Sequence, residues 1–555
     1  MLMLQGRDSA TCPTRASALL GLVGDSANRS DGKADKALHS VDDPGVLDVS
    51  SAQHGDQACL LAEGVPTLAM RGDRTSMRES ETYAQQALNG RLSRSDSMFR
   101  GVVQELFPFS HVVLPQTNQI YELDLAYSEY RSLSDDELIQ RGAYFRSVDG
   151  APTHHFRICM NTPNQVNASA QQGRKNFFAA NVFAVGYATH GLFPYRGKFH
   201  PQMIKAVMNT MGLKPGDTVL DPMAGCGTTS IEASIIGVNS ISCELSPFGC
   251  LMTRSKVAAL EMDCAEFAGL LKRSEDIYWR LAPAQERLAT EPLLLDGREI
   301  DGGEVVHSLA ELSDLPASIR ELLLLCYLDS VGYARRRKGK TARDLFPDLL
   351  SRYLTAVSAF NRTREQLGMV LGEARVIEGD ARHLDISEES VDGVLFSPPY
   401  SFAIDYVDND RPQLQFLGVE VEDLKERMVG LAGTGRTKAQ LTESRVANYF
   451  SDMRLIMEEC KRVLKPGGYC VIVIGSNTNQ TGGISLENGL VDIGARIGMP
   501  LEFQIMRQIE GIRNTMRDEF LLFFRSPQAA VGDSQGRRAS KTPATIGSGD
   551  TSAAV

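Results

Sequence analysis

None of the ten cysteines, at 12, 59, 159, 226, 243, 250, 264, 326, 460 and 470, stands in a CxxC pair, so neither a zinc site nor a disulfide framework is indicated. They are expected as reduced thiols in a cytoplasmic protein, and no metal is expected. No stretch approaches the roughly 18 consecutive apolar residues of a membrane span. The N-terminal segment, with Asp8 and scattered polar residues, lacks the layout of a signal peptide, so no membrane partner is expected. An excess of basic charge is missing too. The formal net charge of −11 argues against a surface that coats nucleic acid indiscriminately, while leaving room for a local basic patch. No internal repeat is visible.

A chain of 555 residues exceeds one typical core and predicts one enzyme-sized domain with an insertion or a second domain. Residues 1–90 and 527–555 are rich in small and polar residues without a sustained period, and both read as disordered. Residues 91–184 form an N-terminal α/β region to which no chemistry can be assigned; within it Ser134, followed by acids, marks a helix start. From Lys214 the pattern turns to strand, glycine turn, helix and strand ("DTVLD", "PMAGCGTT", "SIEASIIG", "SISCEL"), a βαβ unit opening a parallel, doubly wound sheet. A helical insertion at about 252–370 interrupts that sheet before the strands "ARVIEGD" and "VDGVLF" resume it. A helix, a "KPGG" turn, the strand "YCVIVIG" and a final antiparallel pair follow, so the sheet-bearing domain spans 185–526.

Chemistry concentrates at strand ends. Gly225 and Gly227 lie between the first strand and its helix, where a missing Cβ lets a ligand approach the backbone and the helix N-terminus offers free N–H groups. The ligand could be a nucleotide or an amino-acid carboxylate. Asp221 precedes the turn, and Ala224 and Thr228 flank the glycines. Glu244 ends the second strand, where a carboxylate can accept from ribose hydroxyls. Asp380, followed by Ala381, ends the third, where it can meet an adenine amino group. A glycine turn alone can serve packing only, and either acid alone can be a helix cap; three successive strands bearing these groups at one sheet edge favour a shared adenosine-containing ligand. The third glycine of a dinucleotide fingerprint is absent, with Thr228 and Thr229 in its region, and "GKT" at 339–341 lacks the glycine of a phosphate loop because position 334 is alanine.

The fourth strand ends in Ser397, Pro398, Pro399 and Tyr400. Two prolines cannot continue a ladder, so the chain must leave the sheet in a stiff turn at the same carboxyl edge. Ser397 and the carbonyls of that turn can accept from an amino group while Tyr400 stacks on a flat ring, which suits an aminated base that is unpaired or extruded.

"DPMAGCGTT" and "SPPY", in this order and on these strands, resemble the S-adenosylmethionine-dependent DNA amino-methyltransferases, which carry DPFxGSGTT and [DNS]PP[YF]. "THGLFPYRGKFHPQM" is similar to that family's cofactor-flanking segment and "KRVLKPGGYCVIVIG" to its later helix and strand, so the resemblance covers roughly 185–525. It implies a Rossmann-like, mostly parallel seven-stranded sheet, S-adenosylmethionine as cofactor, and methyl transfer to an exocyclic base amine. Asp221, Ala224, Gly225, Gly227, Thr228, Glu244, Asp380 and Ala381 would bind the cofactor; Ser397, Pro398, Pro399 and Tyr400 would act on the base. The serine form of the tetrapeptide is commonest among cytosine-N4 enzymes, although Phe396 stands where those read threonine. Adenine N6, guanine N2 of RNA, and a silent nucleic-acid-binding relative remain alternatives. Methylation at cytosine C5 fits poorly, because no Pro-Cys pair occurs.

DNA is the expected partner, RNA less so. The run holding Arg335, Arg336, Arg337, Lys338 and Lys340 can neutralise phosphates without reading bases, though such a run can equally be a solvated helix end. The polar segment after Tyr406 is a second candidate for target contact.

Overall fold

In the computed structural model the described residues are 94–163, 185–195, 198–282, 312–335, 339–399, 406–431, 436–475, 481–508 and 518–528. The expected disordered N-terminal segment, nearly all of the tail, Tyr400, Arg336, Arg337 and Lys338 lie outside them. The chain divides into two units, Met1–Gly101 and Val102–Val555. The sheets, the cores and the cleft described below all belong to the second.

That unit opens with a small antiparallel sheet, β1 (His111–Val113), β2 (Phe145–Val148) and β3 (Ala151–Pro152), interleaved with helices α1 (Ile120–Ser132) and α2 (Asp135–Arg141). Ser134 caps α2 as its sequence indicates: the Glu137 N–H donates to the Ser134 hydroxyl, and the Glu137 carboxylate accepts from the Ser134 N–H at 2.8 Å. Helix α3 (His154–Met160) follows, and then α4 (Pro201–Thr210). Buried Glu129 of α1 accepts from the Ala143 N–H at 3.0 Å and from Asn209 Nδ2 of α4 at 2.7 Å, while Arg141 donates to Asn209 Oδ1 at 2.8 Å. The region without assignable chemistry is thus a brace on α4.

The main sheet begins with β4 (Thr218–Asp221), α5 (Thr228–Ile235), β5 (Asn239–Glu244) and α6 (Pro247–Ala258). Two long helices follow, α7 (Ala317–Ala334) and α8 (Ala342–Leu367), then β6 (Ala374–Glu378) and β7 (Val391–Phe396). Short helices α9 (Tyr406–Asn409), α10 (Arg411–Phe416) and α11 (Val421–Arg427) lead to α12 (Lys438–Val463), β8 (Leu464–Gly475), α13 (Leu486–Arg496), β9 (Leu501–Gln508) and β10 (Asp518–Arg525). The seven strands lie in the order β6-β5-β4-β7-β8-β10-β9, all parallel except β10, which runs against both its neighbours. This is the Rossmann-like methyltransferase sheet that the motifs imply.

Two boundaries differ from the sequence reading. Helix α6 starts at Pro247 and flanks the sheet itself, so the helical insertion begins after it. The expected "KPGG" turn falls inside β8 as a bulge: Val391 pairs with Leu464 but Gly393 with Tyr469, and Gly467, at φ +75°, bonds the Pro527 carbonyl through its N–H at 3.1 Å. On one face of the sheet α12 and α13 bury Met453, Ile456, Met457 and Leu490 against the strands. A second core joins α6, α7 and α8 to α9, α10 and α11 through Phe248, Tyr327, Phe346, Leu414 and Phe416.

Candidate active site

The carboxyl ends of β4, β5, β6 and β7 line one cleft, whose empty space is about 1100 Å³ with the open solvent at its mouth included. Asp221 closes β4 but does not line the cleft. It is buried, its Oδ1 accepts from the Met223 N–H at 3.1 Å and its Oδ2 from the Thr229 hydroxyl at 2.6 Å, and it ties the glycine turn to the first turn of α5. Burial pushes its carboxyl up to about 7.

The two glycines divide the expected work. Gly225, at φ +53°, has open space where a Cβ would stand, and it lines the cleft. A Cβ on Gly227, at φ +81°, would lie 2.8 Å from the Thr253 side chain, so that glycine lets α5 and α6 approach and does not face a ligand. Ala224 and Thr228 line the cleft beside Gly225.

Glu244 Oε2 accepts from the Gly225 N–H at 2.7 Å and its Oε1 from the Ser246 N–H at 2.8 Å. Burial raises its carboxyl above the ordinary range, against the pull of those N–H groups. With the Leu245 N–H these bonds hold the carboxylate at the cleft wall and leave it acceptor capacity for a hydroxyl. Gly249 makes this possible, since a Cβ there would stand 2.6 Å from Glu244 Cγ.

Asp380 and Ala381 line the cleft from the end of β6. Both Asp380 oxygens meet the guanidinium of Arg382, at 3.0 and 2.7 Å, and Arg382 also reaches Asp452 of α12 at 3.0 Å. Burial would raise the Asp380 carboxyl, but Arg382 outweighs it and holds it below its ordinary value. Only lone pairs left over from that fork can meet an adenine amine.

Ser397, Pro398 and Pro399 follow β7, which pairs with β4 through Val219–Gly393 and Leu220–Val394, and they line the same cleft as Gly225. Tyr400 lies outside the described residues. Arg335 and Lys340 are exposed and do not line the cleft.

Several cleft residues were not singled out from sequence. Tyr195 and Lys198 come from the segment before α4, which was noted only as a stretch. Lys198 Nζ donates to the Val185 and His190 carbonyls at 3.0 and 3.1 Å, and burial pushes it down to about 8. Asp410, Arg427 and Val429 come from the polar segment after Tyr406. No spacing marks them, because they reach the site through the fold.

Strand order, glycine turn and cleft together define a class: a Rossmann-like methyltransferase domain whose cofactor is S-adenosylmethionine. Residues 192–280 match the RMKL-like methyltransferase domain, a stretch that holds the glycine turn and Glu244. The chain is 23% identical over 297 residues to the Type II methyltransferase M.BsoBI of Geobacillus stearothermophilus, covering 46% of this chain and 58% of that protein. It is 36% identical over 53 residues to the tRNA (guanine(10)-N2)-dimethyltransferase of Methanothermobacter thermautotrophicus, covering 10% of this chain and 16% of that enzyme. The chain therefore spans less than two thirds of the length of these relatives. Among solved structures, a SAM-dependent methyltransferase of Methanosarcina mazei aligns at a TM-score of 0.26 and 11% identity, over 58% of this chain and 98% of that one; nothing below rests on it.

Proposed function

We propose that this protein methylates an exocyclic amine of a nucleic-acid base, with cytosine N4 of DNA as the first reading and adenine N6 as the alternative. The observation that carries the proposal is the meeting of Ser397, Pro398 and Pro399 with Gly225 and Glu244 in one cleft. The cofactor supplies, when bound, a methyl group already activated as a sulfonium. The chain's own task is then positioning. Gly225, with open space where a side chain would stand, lets the cofactor approach the turn, and Glu244 receives its ribose hydroxyls. Ser397 and the Pro398 carbonyl accept the hydrogens of the base amine, which withdraws its lone pair from the ring and aims it at the methyl carbon. The amine nitrogen would take up that methyl group and release one proton to solvent, so that the transfer balances. Tyr400 is assigned to hold the ring, and the run Arg335–Lys340 to meet phosphates.

Guanine N2 of RNA is a second reading, favoured by the similarity to the tRNA guanine-N2 enzyme. The test is to incubate the protein with DNA and, separately, structured RNA and S-adenosylmethionine, digest to nucleosides and identify the methylated one by mass. N4-methylcytidine in the deoxy series supports the first reading; N2-methylguanosine from RNA supports the second. C5-methylcytosine, or no methylated nucleoside from a protein that binds the cofactor, overturns the proposal.

A further inference from the structure

Tyr195, from the segment before α4, and Asp410, from the junction of α9 and α10, line the same cleft as the glycine turn, and the Tyr195 phenol interacts with the Asp410 carboxyl. Both also lie within electrostatic reach of Glu244, another residue of the cleft lining. The other cleft carboxylates are already engaged: Glu244 by backbone N–H groups, Asp380 by Arg382. Among the described residues no cation pairs with Asp410; its neighbours are a phenol and another carboxylate.

The helical insertion holds both halves of this pair. On one side Tyr353 of α8, fully buried, accepts from the Phe193 N–H at 2.8 Å and donates to Asp329 of α7 at 3.0 Å. Phe193 needs holding, because it sits at φ +51°, a costly conformation for a residue with a Cβ, with its ring edge-on to Phe248 at 5.1 Å. Two residues further on is Tyr195. On the other side Tyr327 of α7 packs its ring 5.3 Å from Phe416 of α10, the helix that begins beside Asp410.

We propose that Asp410, fixed by Tyr195 and by the insertion through Tyr353, binds the α-ammonium group of the cofactor's methionine end. The inference rests on the cofactor reading and adds a ligand contact and a purpose for the insertion. An ammonium group beside Asp410 gains a charge-assisted hydrogen bond and relieves its repulsion with Glu244. Burial and Glu244 push the free Asp410 carboxyl up to about 7, as expected of a carboxylate awaiting a cation.

The test is calorimetric binding of three ligands, S-adenosylmethionine, S-adenosylhomocysteine and methylthioadenosine, to the native protein, Asp410→Asn and Tyr353→Phe. Methylthioadenosine keeps the nucleoside and lacks the amino-acid end, so it also reports that each variant is folded. Asp410→Asn should weaken the first two about tenfold or more and alike, and methylthioadenosine less than about twofold. Loss for S-adenosylmethionine alone would place Asp410 at the sulfonium and overturn the proposal. Unchanged affinity for all three in the variant, or equal weakening of all three, would overturn it too. Tyr353→Phe should lower the preference for S-adenosylhomocysteine over methylthioadenosine; equal weakening of both, or no change, would overturn the positioning role. If the native protein binds none of the three, the cofactor reading itself has failed.

Discussion

At the scale of single residues, chemistry was legible where a residue type is tied to a backbone event. Ser397 and the two prolines announce the end of a strand, and Gly225 announces an open cleft wall, because a side chain there would occupy the cleft. Gly227 carries the same letter for another reason, the approach of Thr253, and only the packing distinguishes them. Gly249 and Asp410 left no mark, since the partners that give them meaning are distant in sequence or in another element. Replacing Ser397 with alanine removes one preorganised acceptor. The expected outcome is a loss of about a hundredfold in kcat with cofactor affinity unchanged, measured by single-turnover methyl transfer beside calorimetry. Unaltered turnover would show the turn to be structural only.

At the scale of elements, the strands and their order of use were legible because apolar runs ending in Gly, Asp or Pro mark the βα turns of a parallel sheet. The ties between helices were not. His190 donates to Glu232 of α5 at 2.6 Å, and Lys205 of α4 meets the same carboxylate at 3.2 Å, all three fully buried. Burial alone would raise the Glu232 carboxyl, but Lys205 and His190 outweigh it and hold it down to about 2, from an ordinary 4.5. Burial drives His190 down to about 4 despite Glu232, so at neutral pH it is a neutral donor. The sign for Glu232 follows: a depressed acid stabilises the fold above its unfolded value, and that contribution is lost as pH falls from about 4.5 towards 2. Urea midpoints measured between pH 6 and 3 should fall steeply below about pH 4.5, and Glu232→Gln should flatten that fall while lowering stability at pH 6. A midpoint curve of the same steepness in the variant would remove Glu232 from the account.

At the scale of the whole molecule, a net charge of −11 leaves any hold on nucleic acid to local charge. The basic run between α7 and α8 is the proposed holdfast, and it begins one residue past the helix that frames the cofactor wall. Changing Arg335, Arg336, Arg337 and Lys338 together to glutamine should weaken binding to all duplexes alike and flatten the slope of log affinity against log salt, because fewer counterions are released. Which base is methylated should not change. Identical slopes for the native and quadruple-glutamine proteins, on cognate and scrambled duplexes alike, would move the contact to the segment after Tyr406.

The place of β10 governs how the chain can be assembled. Among the described residues it is the last strand in chain order, yet it lies between β8 and β9, both of which leave the ribosome before it. Until Asp518–Arg525 arrives, those two strands present unpaired edges that cannot join each other in the native register, since both point the same way and the gap between them is one strand wide. β4 must likewise wait for β7, the central strand, some 170 residues downstream, as the bond from the Thr218 N–H to Asp392 shows across a separation of 174 residues. The sheet therefore closes late and from its far end, and during synthesis its open edges are the part of the nascent protein most exposed to mispairing.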